Sequence, residues 1–82
     1  MSSNYQVYGI YEKEELIYIG ATTNTLLVRL GKIYAEYGHL SDYMRSRNRE
    51  LFTIRSLYCC KSKKTMLHNK KELIKNYKPR LN

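Results

Sequence analysis

Three observations along these 82 residues predict one small α/β sandwich of the α+β type. Two runs rich in β-branched and aromatic residues lie close enough together to pair as a hairpin. A strict 3.6-residue apolar period follows them, and a third strand-like run then precedes a second helical pattern that halts at the single proline. The expected fold is a three-stranded antiparallel sheet flanked by helices, in the order β-β-α-(α)-β-α. A chain of this length buries roughly 60–65% of its unfolded surface, so residues 1–82 make one domain and leave no room for a second.

Taken in order, Tyr5 to Tyr11 (Y-Q-V-Y-G-I-Y) forms the first strand, and Leu16 to Gly20 (L-I-Y-I-G) the second. The charged run Glu12–Glu15 is the turn between them. Thr22-Thr23-Asn24-Thr25 offers several N-caps before Leu26, Leu27, Leu30, Ile33, Tyr34 and Tyr37, which line one face of a helix that Gly38 stops. Leu40 to Arg45 reads as a short helix capped by Ser41. Leu51 to Tyr58 is the third strand, Lys61–Lys64 a basic turn, and Thr65 to Tyr77 a helix with Met66, Leu67, Leu73, Ile74 and Tyr77 on its apolar side. Pro79 ends it, because the residue before a proline disfavours helical geometry.

Composition narrows the functional classes. Apolar content of 43% and charged content of 27% are those of a folded globular chain. No apolar run nears the ~20 residues needed to span a bilayer, and the first residues carry no leader pattern, so the expected setting is cytoplasmic, with no membrane partner. Cys59 and Cys60 are adjacent, too strained for a mutual disulfide and too few for a metal site, and read as free thiols. The formal charge of +8 is lopsided: residues 45–82 hold twelve of the fifteen basic side chains and only two of the seven acidic ones. That asymmetry points to a polyanion, because neutralised phosphates release condensed counterions. Lys32, Arg45, Arg47, Arg49, Lys61, Lys63 and Lys64 are the candidate contacts to DNA.

Period-2 alternation puts Val7, Gly9 and Tyr11 on one face of the first strand, and Leu16, Tyr18 and Gly20 on one face of the second. Glycine inside a strand often marks close approach by another group. Ordinary packing accounts for most pairings among nine tyrosines, and Arg29, at the edge of the helical stripe, reads first as a snorkelling surface residue and only second as a phosphate ligand.

Gly9-Ile10-Tyr11 and, after a six-residue gap, Tyr18-Ile19-Gly20 resemble the motif pair of the GIY-YIG nuclease family. Ala21 to Leu26 followed by Arg29 is similar to that family's passage into its arginine-bearing helix, and Leu73 to Asn82 is similar to its closing signature. The resemblance spans residues 7–82. It implies a DNA endonuclease that hydrolyses phosphodiesters with one divalent ion, Mg²⁺ or Mn²⁺, acting as monomer or homodimer in a bacterial or phage-infected cell. On the matched positions it implies Tyr11 as general base or its equivalent, Tyr18 as its support at the phosphate, Arg29 as stabiliser of transition-state charge, and Asn82 near the site. A tyrosine has a free pKa near ~10, so it becomes a base only beside a cation.

The chain departs from the family at two places, the first the more consequential. Counting back from Leu73 and from Pro79 both place the family's metal-binding glutamate at Lys70. Glu72 lies about 200° round the helix, and His68 and Asn69 are poor ligands for a hard cation. An ammonium there repels Mg²⁺, so this chain is expected to bind DNA and cleave it weakly or not at all. Either it is a crippled endonuclease, or it is a catalytically dead domain kept for DNA binding. Many relatives also carry a histidine one turn after the arginine; here Ile33 and Tyr34 stand in that region, with His39 beyond.

Overall fold

The computed structural model describes residues 4–82; residues 1–3, at the start of the segment read for a leader, lie outside the described residues. Strand β1 (Tyr5–Glu12) is central, pairing antiparallel with β2 (Glu15–Thr22) on one side and β3 (Phe52–Cys60) on the other. Helices α1 (Leu26–Ala35) and α2 (His39–Arg45) cover one face of the sheet, and α3 (Lys63–Tyr77) covers the other. The order β-β-α-α-β-α is the one the sequence predicts.

Both faces being covered, the middle of β1 carries apolar residues without alternation: Val7, Tyr8, Gly9 and Ile10 are all buried. Side chains split by parity. Tyr8 and Ile10 join Ile17, Ile33, Leu40, Met44 and Phe52 beneath α1 and α2. Val7 joins Ile19 and Met66 beneath α3, with Leu16, Leu57, Leu73 and Ile74 at the margin.

Several boundaries differ from expectation, each for a local reason. The hairpin turn is only Lys13-Glu14, with Lys13 at φ 57, so Glu12 and Glu15 pair across it instead of belonging to it. Helix α1 stops at Ala35, and of the stripe assigned to it Leu27 and Tyr37 are 79% and 96% exposed. Gly38, at φ 140, caps α2, while Ser41 is buried inside that helix and not at its start. Helix α3 begins at Lys63 because the Ser62 hydroxyl accepts from the Thr65 amide, so the basic segment Lys61–Lys64 is half loop and half first turn. Leu67 and Tyr77 lie off the buried side of α3, at 49% and 63% exposure. That helix ends on Lys78 in the left-handed region, φ 46, ahead of buried Pro79. Cys59 and Cys60 are free thiols, and no helix among the described residues is long and apolar enough to cross a membrane.

Candidate functional site

A bulge in the hairpin decides which motif residues meet. Ile10 lies opposite Tyr18, but Tyr11 lies opposite Leu16, so Ile17 is an additional residue in β2. Residues directly opposite each other in an antiparallel pair share a face. Tyr18 therefore shares the α1 face with Ile10 and, two residues back, with Tyr8, which stands opposite Gly20. Leu16 crosses to the α3 face instead of sharing that of Tyr18 and Gly20. Tyr11 keeps the company of Gly9, as expected, but on the α3 face, where the Arg55 guanidinium lies 5.3 Å from its ring. The structure thus does not bring Tyr11 to Tyr18 and Arg29.

Tyr8 takes that place. Its ring is 1% exposed and lies 6.4 Å from the Tyr18 ring, tilted by 40°. Gly20 is required here, because a Cβ on it would run into the Tyr8 ring and come within 2.9 Å of Tyr18. Arg29 reaches this pair from the first turn of α1, which Thr25 caps by accepting from the Val28 amide. Its Nε donates to the Tyr8 hydroxyl at 3.1 Å and its Nη1 to Glu36 at 2.8 Å. Nη2 has no protein partner among the described residues, which leaves N–H donors for an anion. The sequence signal for Tyr8 was its ten-residue spacing from Tyr18, masked by the assumption of a four-residue turn and an unbulged strand.

Electrostatics fix the protonation states. Burial, reinforced by Tyr8 and opposed by Arg29, raises the Tyr18 pKa above its ordinary 10.0. Tyr18 is therefore a neutral hydrogen-bond donor, not a base. Burial disfavours the Arg29 cation, but the Tyr8 hydroxyl and the Glu36 carboxylate outweigh it, and its pKa rises overall. The arrangement is a fixed cation flanked by a tyrosine hydroxyl, suited to holding a phosphate oxygen.

Asn82 sits at the outer edge of β2. Its side-chain oxygen accepts from the Ile19 amide at 2.7 Å and its nitrogen donates to the Ile19 carbonyl at 2.8 Å, while the Leu81 amide donates to the Ile17 carbonyl. The side chain thus completes the edge as another strand would, and it positions Tyr18 and Gly20 through the residue between them. His39 bonds the Leu81 carbonyl at 2.8 Å, far from any role beside Arg29. Tyr34 packs against the core with its hydroxyl unpartnered, and Ile33 is buried.

The basic candidates differ among themselves. Arg45 donates to the carbonyls of Tyr34 and Glu36 and pairs with Asp42, closing the end of α1. Arg47 lies 4.3 Å from the Tyr43 ring and Arg49 4.1 Å from the Tyr34 ring. Lys32, Lys61, Lys63 and Lys64 are exposed and unpaired among the described residues.

Lys70 is on α3, half-buried beside an open cavity of about 340 Å³ that it lines with Leu67, Lys71 and Ile74. It makes no hydrogen bond or ion pair with Tyr8, Tyr18 or Arg29. The residues present do not suit a divalent ion. Among the described residues no three of His, Cys, Asp and Glu converge, and the one carboxylate at the site, Glu36, already neutralises Arg29. Compared with protein-family models, with curated proteins and with solved structures, the chain has no significant match.

Proposed function

We propose that this chain is a DNA-binding domain built on a nuclease scaffold of the GIY-YIG kind, with Lys70 standing where that family's metal-binding glutamate would be. The observation that carries the reading is the Arg29 side chain. Nε and Nη1 are held by Tyr8 and Glu36, Nη2 has no partner among the described residues, and the Tyr18 ring packs on the same face. A pre-positioned guanidinium binds phosphate without the entropy cost of ordering a mobile side chain. The +8 charge supplies the longer-range attraction, which weakens as salt rises. Phosphate would take the place Glu36 now occupies on Arg29 or bind beside it at Nη2.

Two measurements test this. In a binding titration at fixed, moderate salt, Arg29→Ala lowers affinity for duplex or single-stranded DNA by at least about tenfold, equivalent to ~1.4 kcal/mol. Lys70→Ala changes it less than about threefold. Equal losses for the two variants would remove the assignment of the phosphate to the α1 face. In a cleavage assay with Mg²⁺ or Mn²⁺ the chain shows no turnover, and turnover equal to that of Lys70→Glu would overturn the role given to Lys70. Cleavage rescued by Lys70→Glu identifies a crippled endonuclease; no rescue identifies a dedicated binding module.

A further inference from the structure

Tyr37 is 96% exposed, the most exposed large apolar side chain among the described residues, and lies in the short loop between α1 and α2. It follows Glu36, whose carboxylate pairs with Arg29 at 2.8 Å and whose amide caps α1 by donating to the Lys32 carbonyl at 2.9 Å. It precedes Gly38, which caps α2. Arg45 ties the segment from below, bonding the carbonyls of Tyr34 and Glu36, and brings its guanidinium to 6.0 Å from the Tyr37 ring. Folding leaves this ring outside the core, one residue along from the carboxylate that pairs with Arg29.

From this placement we propose that Tyr37 is a stacking platform for an unpaired nucleobase, and that the ligand of the Arg29 site is single-stranded nucleic acid or a strand with an extruded base. The inference rests on the functional reading above, and deepens it by naming the substrate class. A tyrosine face stacks on any base, whereas in a continuous duplex both faces of each base are occupied by neighbours. Arg45 adds a cation 6.0 Å from the ring centroid, and its bonds to the Tyr34 and Glu36 carbonyls tie down the loop that carries the ring. Two further Arg–Tyr pairs come from the same stretch of arginines, Arg49 over Tyr34 at 4.1 Å and Arg47 over Tyr43 at 4.3 Å. Arg–Tyr stacks of this kind occur about once per 70–80 residues in ordinary proteins, and here they crowd into one segment. Arg29 would hold the backbone phosphate and Tyr37 the adjoining base.

The test uses oligothymidylate of about 20 nucleotides and a duplex of the same length. Tyr37→Ala is expected to lower affinity for the single strand about tenfold and for the duplex no more than twofold, while Tyr37→Phe binds both like the parent chain. The chain contains no tryptophan, so Tyr37→Trp introduces a single reporter at an exposed position. Its fluorescence should be quenched by the single strand and little affected by the duplex. Equal losses on both ligands for Tyr37→Ala, or an unquenched Trp, would overturn the proposal. Arg29→Ala separates the two readings. If it weakens both ligands while Tyr37→Ala weakens neither, only the stacking platform falls. If it weakens neither, the phosphate site falls as well.

Discussion

The two faces of the sheet are built from the same strands and do different things. Beneath α1 and α2, seven buried side chains form the larger core, and one of them, Tyr8, is joined at the margin by Tyr18 and Arg29 in one hydrogen-bonded or packed cluster. Beneath α3, three buried residues suffice, and the polar side chains of that helix, Lys70 and Lys71 among them, stay beside open solvent-filled space. Arg29 finds partners there in the Tyr8 hydroxyl and the Glu36 carboxylate, and those two bonds hold it in place. Lys70, half-buried on the thinner side, has no hydrogen-bond or ion-pair partner among the described residues. A functional site is therefore more readily preorganised on the first face than on the second.

The core comparison should give the largest effect. Met44→Ala, removing a fully buried side chain from the α1/α2 face, should cost about 3–5 kcal/mol in chemical denaturation, near the top of the range for such truncations. Met66→Ala, at 6% exposure in the smaller cluster, should cost about 2 kcal/mol, because the sparser surroundings collapse more easily. Equal costs would break the distinction between the two faces.

Next in size is the sheet edge. Asn82→Ala deletes both hydrogen bonds to Ile19 and should lower stability by about 1–2 kcal/mol, with faster hydrogen exchange at the Ile19 amide. If Asn82 acts only as a strand substitute, DNA affinity at fixed folded fraction should fall less than in Arg29→Ala.

The smallest effect concerns the hairpin end, where Glu12 gathers Tyr43, Arg80 and Arg47. The Tyr43 hydrogen bond first, then the two arginines, hold its pKa below the ordinary 4.5 despite partial burial. The unfolded chain thus binds the proton more tightly, and stability rises with pH across that interval. The contribution is complete above about 4.5 and is lost as pH falls through the lowered value. Denaturation midpoints of Glu12→Gln, measured from pH 6 to pH 3, should show a shallower acid decline than the parent. An unchanged slope would assign the decline to other carboxylates.

Sequence alone determined much of this molecule. Alternation, the 3.6-residue period and the cap residues specify the elements and their order, because those signals are local and repeat over whole segments. The charge asymmetry and the free thiols were equally plain. Single residues were less legible. Leu27 and Tyr37 fit the helical stripe on paper but lie outside the core, since burial depends on what packs against a position and not on its period. The extra residue at Ile17 was invisible for a related reason. A bulge is a property of two strands in register, and slipping one residue exchanges the faces of everything beyond it. That slip set Tyr8 beside Tyr18 and Arg29 and sent Tyr11 to the other side. The sequence by itself chose the residue types of the site, Tyr, Arg and Gly, while only the tertiary pairing decided which tyrosine belongs to it, because a face is defined by the partner strand.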